Sequence, residues 1–168
     1  MICGNAGGIS VSSAKTNAMR MLDSLGIAYD SVEYDVDESD LGGMSVAAKI
    51  GLPREQVFKT LVTRGDRTGV LLAGLPVAAE LDLKKLAVAS GNKRVETVPL
   101  KEVLPLTGYV RGGVSPLGAK KAYPYYLDES ATGWPRIAVS AGVRGRQIFI
   151  SPEDLARASK AVLAPLTR

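Results

Sequence analysis

The sequence predicts a single α+β domain whose sheet is mixed or largely antiparallel and flanked by short helices. Three observations point there. Extended and helical segments succeed one another without a regular βαβ rhythm, which argues against a doubly wound parallel sheet. Two apolar runs around Gly65-Asp66-Arg67-Thr68-Gly69 carry a hairpin signature, so at least one strand pair is antiparallel. Finally, 168 residues with 46% hydrophobic content suffice for one real core, and 5% aromatic content makes that core aliphatic.

Met1 to Ser10 are small and uncharged and read as a disordered extension, placing the domain at residues 11–168. Val11 to Gly26 has Ala18, Met21, Leu22 and Leu25 at helical spacing, with Gly26 as the stop. Ala28 to Tyr34 reads as a strand and the acidic, glycine-bearing Asp35 to Gly43 as a loop. A short helix runs from Ser45 to Ile50, and Pro53 permits a further turn through Val57. Phe58 to Thr63 and Val70 to Leu75 are the hairpin strands, broken by Pro76. Asp82 caps a helix through about Ala89, stopped by Gly91. Arg94 to Val98 is extended, and Leu100 to Leu104 forms a brief helix closed by Pro105. Tyr123 to Asp128, Arg136 to Ser140 and Gln147 to Ile150 are strands. Ser151-Pro152-Glu153-Asp154 starts a last helix, with serine as cap, proline at the first helical position and acids in the first turn.

Composition excludes several chemistries. The chain has no histidine and one cysteine, Cys3, so a cysteine-based metal site and an imidazole base are both out of reach; no metal or cofactor is expected. A lone cysteine forms no intrachain disulfide, which fits a reducing cytoplasm. No apolar run approaches the roughly 20 residues of a membrane-spanning helix. The net charge of +4, from 21 basic and 17 acidic residues, is too mild for a dedicated duplex binder. It suits a small phosphate footprint such as the end of an RNA, or simply a solvated surface of mixed charges.

The most telling stretch is Gly112-Gly113-Val114-Ser115-Pro116-Leu117-Gly118. Adjacent glycines, a serine-proline pair and a third glycine make a turn with exposed amide N–H groups, able to lie against an oxygen-rich ligand. Lys59 interrupts an otherwise apolar strand. It reads either as a strand-edge lysine reaching to water or as a cation projecting into a cleft to meet phosphate or developing negative charge. Ser140-Ala141-Gly142-Val143-Arg144-Gly145 is a second small-residue turn; hairpin chemistry explains it, and Arg144 between glycines also suits phosphate or carboxylate. Thr107-Gly108-Tyr109 reads as a turn with a packed tyrosine, and Lys84-Lys85 and Lys120-Lys121 as solvated pairs.

In chain order, Phe58-Lys59-Thr60-Leu61, Pro76-Val77-Ala78, Leu81 to Leu86, Thr107-Gly108-Tyr109, the Gly112 to Gly118 loop and Ser140-Ala141-Gly142 together resemble the YbaK/EbsC family. That family holds free-standing aminoacyl-tRNA deacylases related to the editing domain inserted in some bacterial prolyl-tRNA synthetases. The resemblance covers about Thr16 to Ala161. It implies the editing-domain fold and removal of a wrong amino acid, chiefly cysteine, from tRNA(Pro). It places the family's essential lysine on Lys59 and its neighbouring threonine on Thr60. The glycine of the oxygen-binding loop falls on Gly112, with Gly113 and Ser115 beside it; the pocket serine falls on Ser140, followed by Gly142 and Arg144, and a pocket tyrosine on Tyr34. Where some members carry an acidic residue, this chain has Gln147. The implied partners are the 3′ acceptor end of an aminoacylated tRNA and prolyl-tRNA synthetase, with no membrane. Two rivals remain at this point: a deacylase of alanyl- or another small aminoacyl-tRNA that uses water, and a non-catalytic module that binds tRNA or a synthetase.

Overall fold

A computed structural model describes residues 14–168. The extension expected at residues 1–10, Cys3 and the first residues of the helix expected from Val11 lie outside the described residues. Helix α1 (Asn17–Ser24) starts behind Thr16, whose side chain accepts from the Met19 N–H, and it buries Ala18, Met19 and Leu22. Strand β1 (Asp30–Glu33) is shorter than the expected Ala28 to Tyr34. Helix α2 (Gly43–Ile50) has no side-chain cap at Gly42 and ends at Gly51 in the left-handed region. The hairpin is β2 (Phe58–Gly65) and β3 (Gly69–Pro76), in register from Phe58 opposite Pro76 to Gly65 opposite Gly69. Helix α3 (Leu83–Ser90) is capped as expected, Asp82 accepting from the Lys84 and Lys85 N–H groups. Strand β4 (Val95–Thr97) and helix α4 (Leu100–Thr107) follow. Then come β5 (Tyr125–Asp128), a 3₁₀ turn (Glu129–Gly133), β6 (Ile137–Ser140), β7 (Arg146–Ile150), α5 (Pro152–Ser159) and β8 (Val162–Ala164).

The strands form two sheets rather than one. The larger runs β4-β2-β3-β5-β8 and the smaller β1-β7-β6. Pairing is antiparallel except for β3 with β5 and β5 with β8, which are parallel. The two sheets meet at one seam: Val57 forms a parallel bridge with Ala138, the Ala138 N–H donates to the Gln56 carbonyl at 3.0 Å, and Gln56 Nε2 donates to the Arg136 carbonyl at 2.8 Å. The main core joins Leu22, Phe58, Leu72, Leu117, Leu127, Ile148 and Leu155. A second cluster around Leu71, Leu86 and Leu166 lies on the other face of the larger sheet.

Three elements differ from expectation for identifiable reasons. Pro105 does not close α4; the helix continues to Thr107 although proline leaves the Lys101 carbonyl without its amide donor. Packing of Val103 and Leu106 on the main core holds the last turn, as do the Thr107 hydroxyl on the Val103 carbonyl and the Gly108 N–H on the Leu104 carbonyl. Strand β5 begins at Tyr125, not Tyr123, because Pro124 has no N–H to offer the ladder, although its carbonyl accepts from Leu72. The last helix stops at Ser159, and β8 follows it.

Candidate active site

A cavity of about 400 Å³ opens where the two sheets, the N-terminus of α2 and the glycine loop converge. Its walls are mainly aliphatic: Val46, Val57, Leu61, Val62, Val77, Val98 and Val103. The polar residues of its lining are Lys59 and Thr60 of β2, Thr97 of β4, Arg111 and Gly112 of the loop, and Ser140 and Gln147 of β6 and β7. Few polar groups in an apolar cavity is the usual make-up of a small-ligand site.

Lys59 lines this cavity. Its ammonium is half-buried, and among the described residues it makes no ion pair. Burial pulls its pKa below that of free lysine, and the charge of Glu80 only partly opposes this. Glu80 itself pairs with Arg168 at 3.7 Å. A desolvated, unpaired ammonium is costly unless a ligand supplies the missing anion. The N-terminus of α2 adds to the positive character of this region. Gly42 and Gly43 line the cavity, and the Gly42 cap uses no side chain on the first amides. A side chain at Gly43 is excluded, since a Cβ there would stand 2.3 Å from Val77 Cγ1. Sequence reasoning placed these glycines in a loop and missed them; the available signal was a glycine pair just before a run of small helix-forming residues.

The glycine loop is narrower in function than expected. Gly112 has φ +86°, a conformation that favours glycine, and its amide donates to no described backbone acceptor. The Gly113 N–H is already used, donating to the Val110 carbonyl at 2.9 Å. Gly113 is small because it packs against the Val143–Arg144 peptide, where a Cβ would lie 3.1 Å from the Arg144 nitrogen. Ser115 is fully buried and its hydroxyl accepts from the Leu117 N–H at 3.2 Å, so it braces the turn and does not line the cavity. Of the two amides, only that of Gly112 is left without a backbone acceptor among the described residues.

Ser140 and Gln147 are directly opposite each other on β6 and β7. The Ser140 oxygen accepts from the Gly142 N–H at 3.1 Å, which leaves its own proton to donate into the cavity. Gln147 is buried, and its Oε1 has no hydrogen-bond partner among the described residues. An unpaired buried polar atom costs about 1–3 kcal/mol, and this one is closed off from the cavity that the Gln147 residue lines. Gly142 and Arg144 lie outside this cavity and line a neighbouring cleft. Tyr34 lines neither; its N–H donates to the Gly145 carbonyl at 2.9 Å beyond the end of β1. Tyr109 is a packed tyrosine, as read, with its hydroxyl on the Leu117 carbonyl at 2.7 Å and burial raising its pKa to about 12. Among the described residues, no helix is long and apolar enough to cross a membrane, and no three His, Cys, Asp or Glu side chains cluster as a metal site would require.

A lysine and a glycine with an unpartnered amide both line this aliphatic cavity, a combination suited to an oxygen-rich group such as a carbonyl or phosphate. The chain belongs to the aminoacyl-tRNA editing domain family, whose model matches residues 44–158, a stretch containing Lys59, Gly112, Ser140 and Gln147. It is 47% identical over 153 residues to a protein of Enterococcus faecalis that carries the provisional name Cys-tRNA(Pro)/Cys-tRNA(Cys) deacylase EbsC, with 91% of this chain and 93% of the relative covered. Among solved structures it is similar to a provisionally assigned trans-editing enzyme for prolyl tRNA synthetase, with 28% identity, TM-score 0.81, and 93% of this chain and 99% of the other covered. A crystal structure of the hypothetical protein APE2540 shares the fold, with TM-score 0.83 at 21% identity, over 91% of this chain and all of that one (100%).

Proposed function

We propose that this chain is a trans-editing enzyme that removes cysteine from mischarged tRNA(Pro), the ester being cleaved with help from the substrate's own thiol. The observation that carries the reading is the half-buried Lys59 ammonium, unpaired among the described residues, in an aliphatic cavity of terminal-aminoacyl size. Its support is the family membership and the similarity to the Enterococcus faecalis deacylase.

An aminoacyl ester is already activated, so the site needs positioning and oxyanion stabilisation more than a strong base. In this scheme the cysteine sulfur bonds to its own carbonyl carbon, the ester C–O bond breaks, and the thiol proton ends on the departing ribose oxygen. The products are a cyclic thiolactone and free tRNA. An intramolecular nucleophile held in place reaches effective molarities on the order of 10⁵ M or more. The Gly112 amide donates to the carbonyl oxygen as it becomes anionic, a contact typically worth about 3 kcal/mol. Lys59 holds the terminal adenosine's phosphate or the developing charge, with Thr60 beside it. Ser140 holds the amino acid through its hydroxyl, with the Gln147 side chain opposite it on the cavity wall. Prolyl-tRNA synthetase is the partner that would supply the mischarged tRNA, and the cytoplasm is where both operate.

The decisive experiment is release of labelled amino acid from a panel of mischarged tRNAs. Cysteinyl-tRNA(Pro) is expected to turn over fastest, with S-methylation of the cysteine slowing it at least 10²-fold. Equal rates on cysteinyl- and alanyl-tRNA(Pro) would transfer the attack to water. Lys59→Ala is expected to lose about 10²–10³-fold in kcat/KM with its melting temperature preserved; full activity in that variant would refute the role. Association with the synthetase is tested by a tRNA-dependent ternary complex in gel filtration, and no shift at micromolar concentrations would remove that partner.

A further inference from the structure

A second cleft, about 500 Å³, lies beside the cavity between the start of α1, the end of β1 and the Gly142–Arg146 turn. Nothing in the scheme above uses it. Its lining carries four cations, Lys15, Arg20, Arg144 and Arg146, and one carboxylate, Glu33. Two of the cations are already spent: Lys15 pairs with Asp23, and the buried Arg146 guanidinium pairs with Glu33 and donates to the Ala14 carbonyl. Arg20 and Arg144 have no carboxylate partner among the described residues. Arg20 touches only Asn17 Oδ1, at 3.3 Å, and Arg144 donates through Nε to the Arg111 carbonyl at 2.7 Å, leaving its two terminal nitrogens.

The cleft and the cavity share a wall one residue thick. Gly112 lines the cavity, and a Cβ built on it would stand 3.5 Å from Arg144 Nε. Arg111, whose carbonyl holds Arg144, also lines the cavity. Arg144 thus stands between the cavity and the cleft that Arg20 also lines.

We propose that this cleft binds the phosphodiester backbone of the single-stranded RNA immediately preceding the terminal nucleotide. This rests on the reading of the cavity given above. Two uncompensated guanidinium groups suit two successive phosphates, for which arginine is the better-matched cation. Among the described residues the cleft offers no stacking platform: its tyrosine, Tyr109, is buried and its hydroxyl is spent on the Leu117 carbonyl. Binding is therefore read from charge rather than base identity, and it weakens with salt.

The test is fluorescence polarisation with an uncharged, 5′-labelled RNA hexamer ending in CCA, titrated at several salt concentrations. Arg20→Gln is expected to raise Kd at least fivefold and to flatten the slope of log Kd against log salt by about 0.7, the value for one lost phosphate contact on a single strand. Arg20→Lys is expected to recover most of that slope, and replacing the bases upstream of the CCA end to change Kd less than twofold. An Arg20→Gln protein with wild-type Kd and salt slope would overturn the proposal, as would a tenfold dependence on the upstream bases. Turnover is scored separately. Wild-type protein that binds the hexamer through Arg20 but deacylates no tRNA sinks the catalytic reading and leaves the cleft. A deacylase indifferent to Arg20→Gln does the reverse.

Discussion

Lys59 carries a cost in the stability of the folded chain. Burial lowers its pKa in the folded chain below the 10.5 of free lysine. Below the lowered value both states are protonated and the penalty for the buried charge is fully present. Between the lowered value and 10.5 the unfolded chain holds more protons, so stability rises with pH across that window. Lys59→Met is therefore expected to melt above the wild type at pH 7, with the gap narrowing as pH approaches 10; a constant gap from pH 7 to 10 would show that the ammonium carries no desolvation cost. Gln147 makes the complementary case. Gln147→Leu removes the unpaired Oε1 and is expected to cost less than about 1 kcal/mol, or to stabilise, since the lost group has no protein partner. The same variant is expected to raise KM for aminoacyl-tRNA roughly fivefold, consistent with one lost hydrogen bond of about 1 kcal/mol from the side chain on the cavity wall. An unchanged KM would place Gln147 outside the substrate's contacts. At this scale the sequence was partly legible. Lys59, Thr60, Gly112 and Ser140 do share one cavity, each coming from a motif read in chain order, and Gln147, which lies in none of those motifs, joins them. Ser115, Gly113 and Tyr34 do not, because nothing in a sequence tells whether a loop's polar groups face outward or bond to the loop itself.

Among the elements, the β5–β8 pair shows how a missed strand is held. Asp128 ends β5, is buried, and uses both carboxylate oxygens: one accepts from the Ser130 N–H and hydroxyl, the other from the Leu166 N–H at 2.8 Å. It thus caps the 3₁₀ turn and clamps the segment after β8, whose Leu166 completes the second core cluster. Asp128→Ala leaves a buried N–H unpaired and is expected to destabilise the chain by about 2–3 kcal/mol in urea unfolding. A loss below 0.5 kcal/mol would mean that water replaces the carboxylate. Strand β8 could not be read because three residues, Val162 to Ala164, are too few for alternation to register, and two of them are exposed. Pro105 misled in the opposite direction. Local chemistry says stop, and the tertiary packing of Val103 and Leu106 overrides it.

Across the whole molecule, two sheets share one seam, and the cavity straddles it. Lys59 and Thr60 come from the larger sheet, Ser140 and Gln147 from the smaller. Gln56 ties them through its own carbonyl and its side-chain amide. Gln56→Ala is expected to cost about 1–2 kcal/mol of stability and to lower kcat more than it raises KM, because it loosens the relative placement of the two halves. Equal unfolding curves for variant and wild type would show that the seam is held by packing alone. The α+β class and the hairpin register were legible because they depend on local turn chemistry and apolar runs. The division into two sheets was not, since it is decided by long-range pairings such as Val57 with Ala138.

The valine-lined walls have a consequence for diversification. In the proposed scheme the reactive groups are a lysine and a backbone amide, whereas the side chains that bound the cavity come from several separate segments. Trimming or thickening one of them, Val46 or Val98 for instance, recuts the chamber while leaving the catalytic parts untouched. Selectivity among small acyl groups can therefore drift by single conservative exchanges, and one scaffold can serve a succession of proofreading tasks.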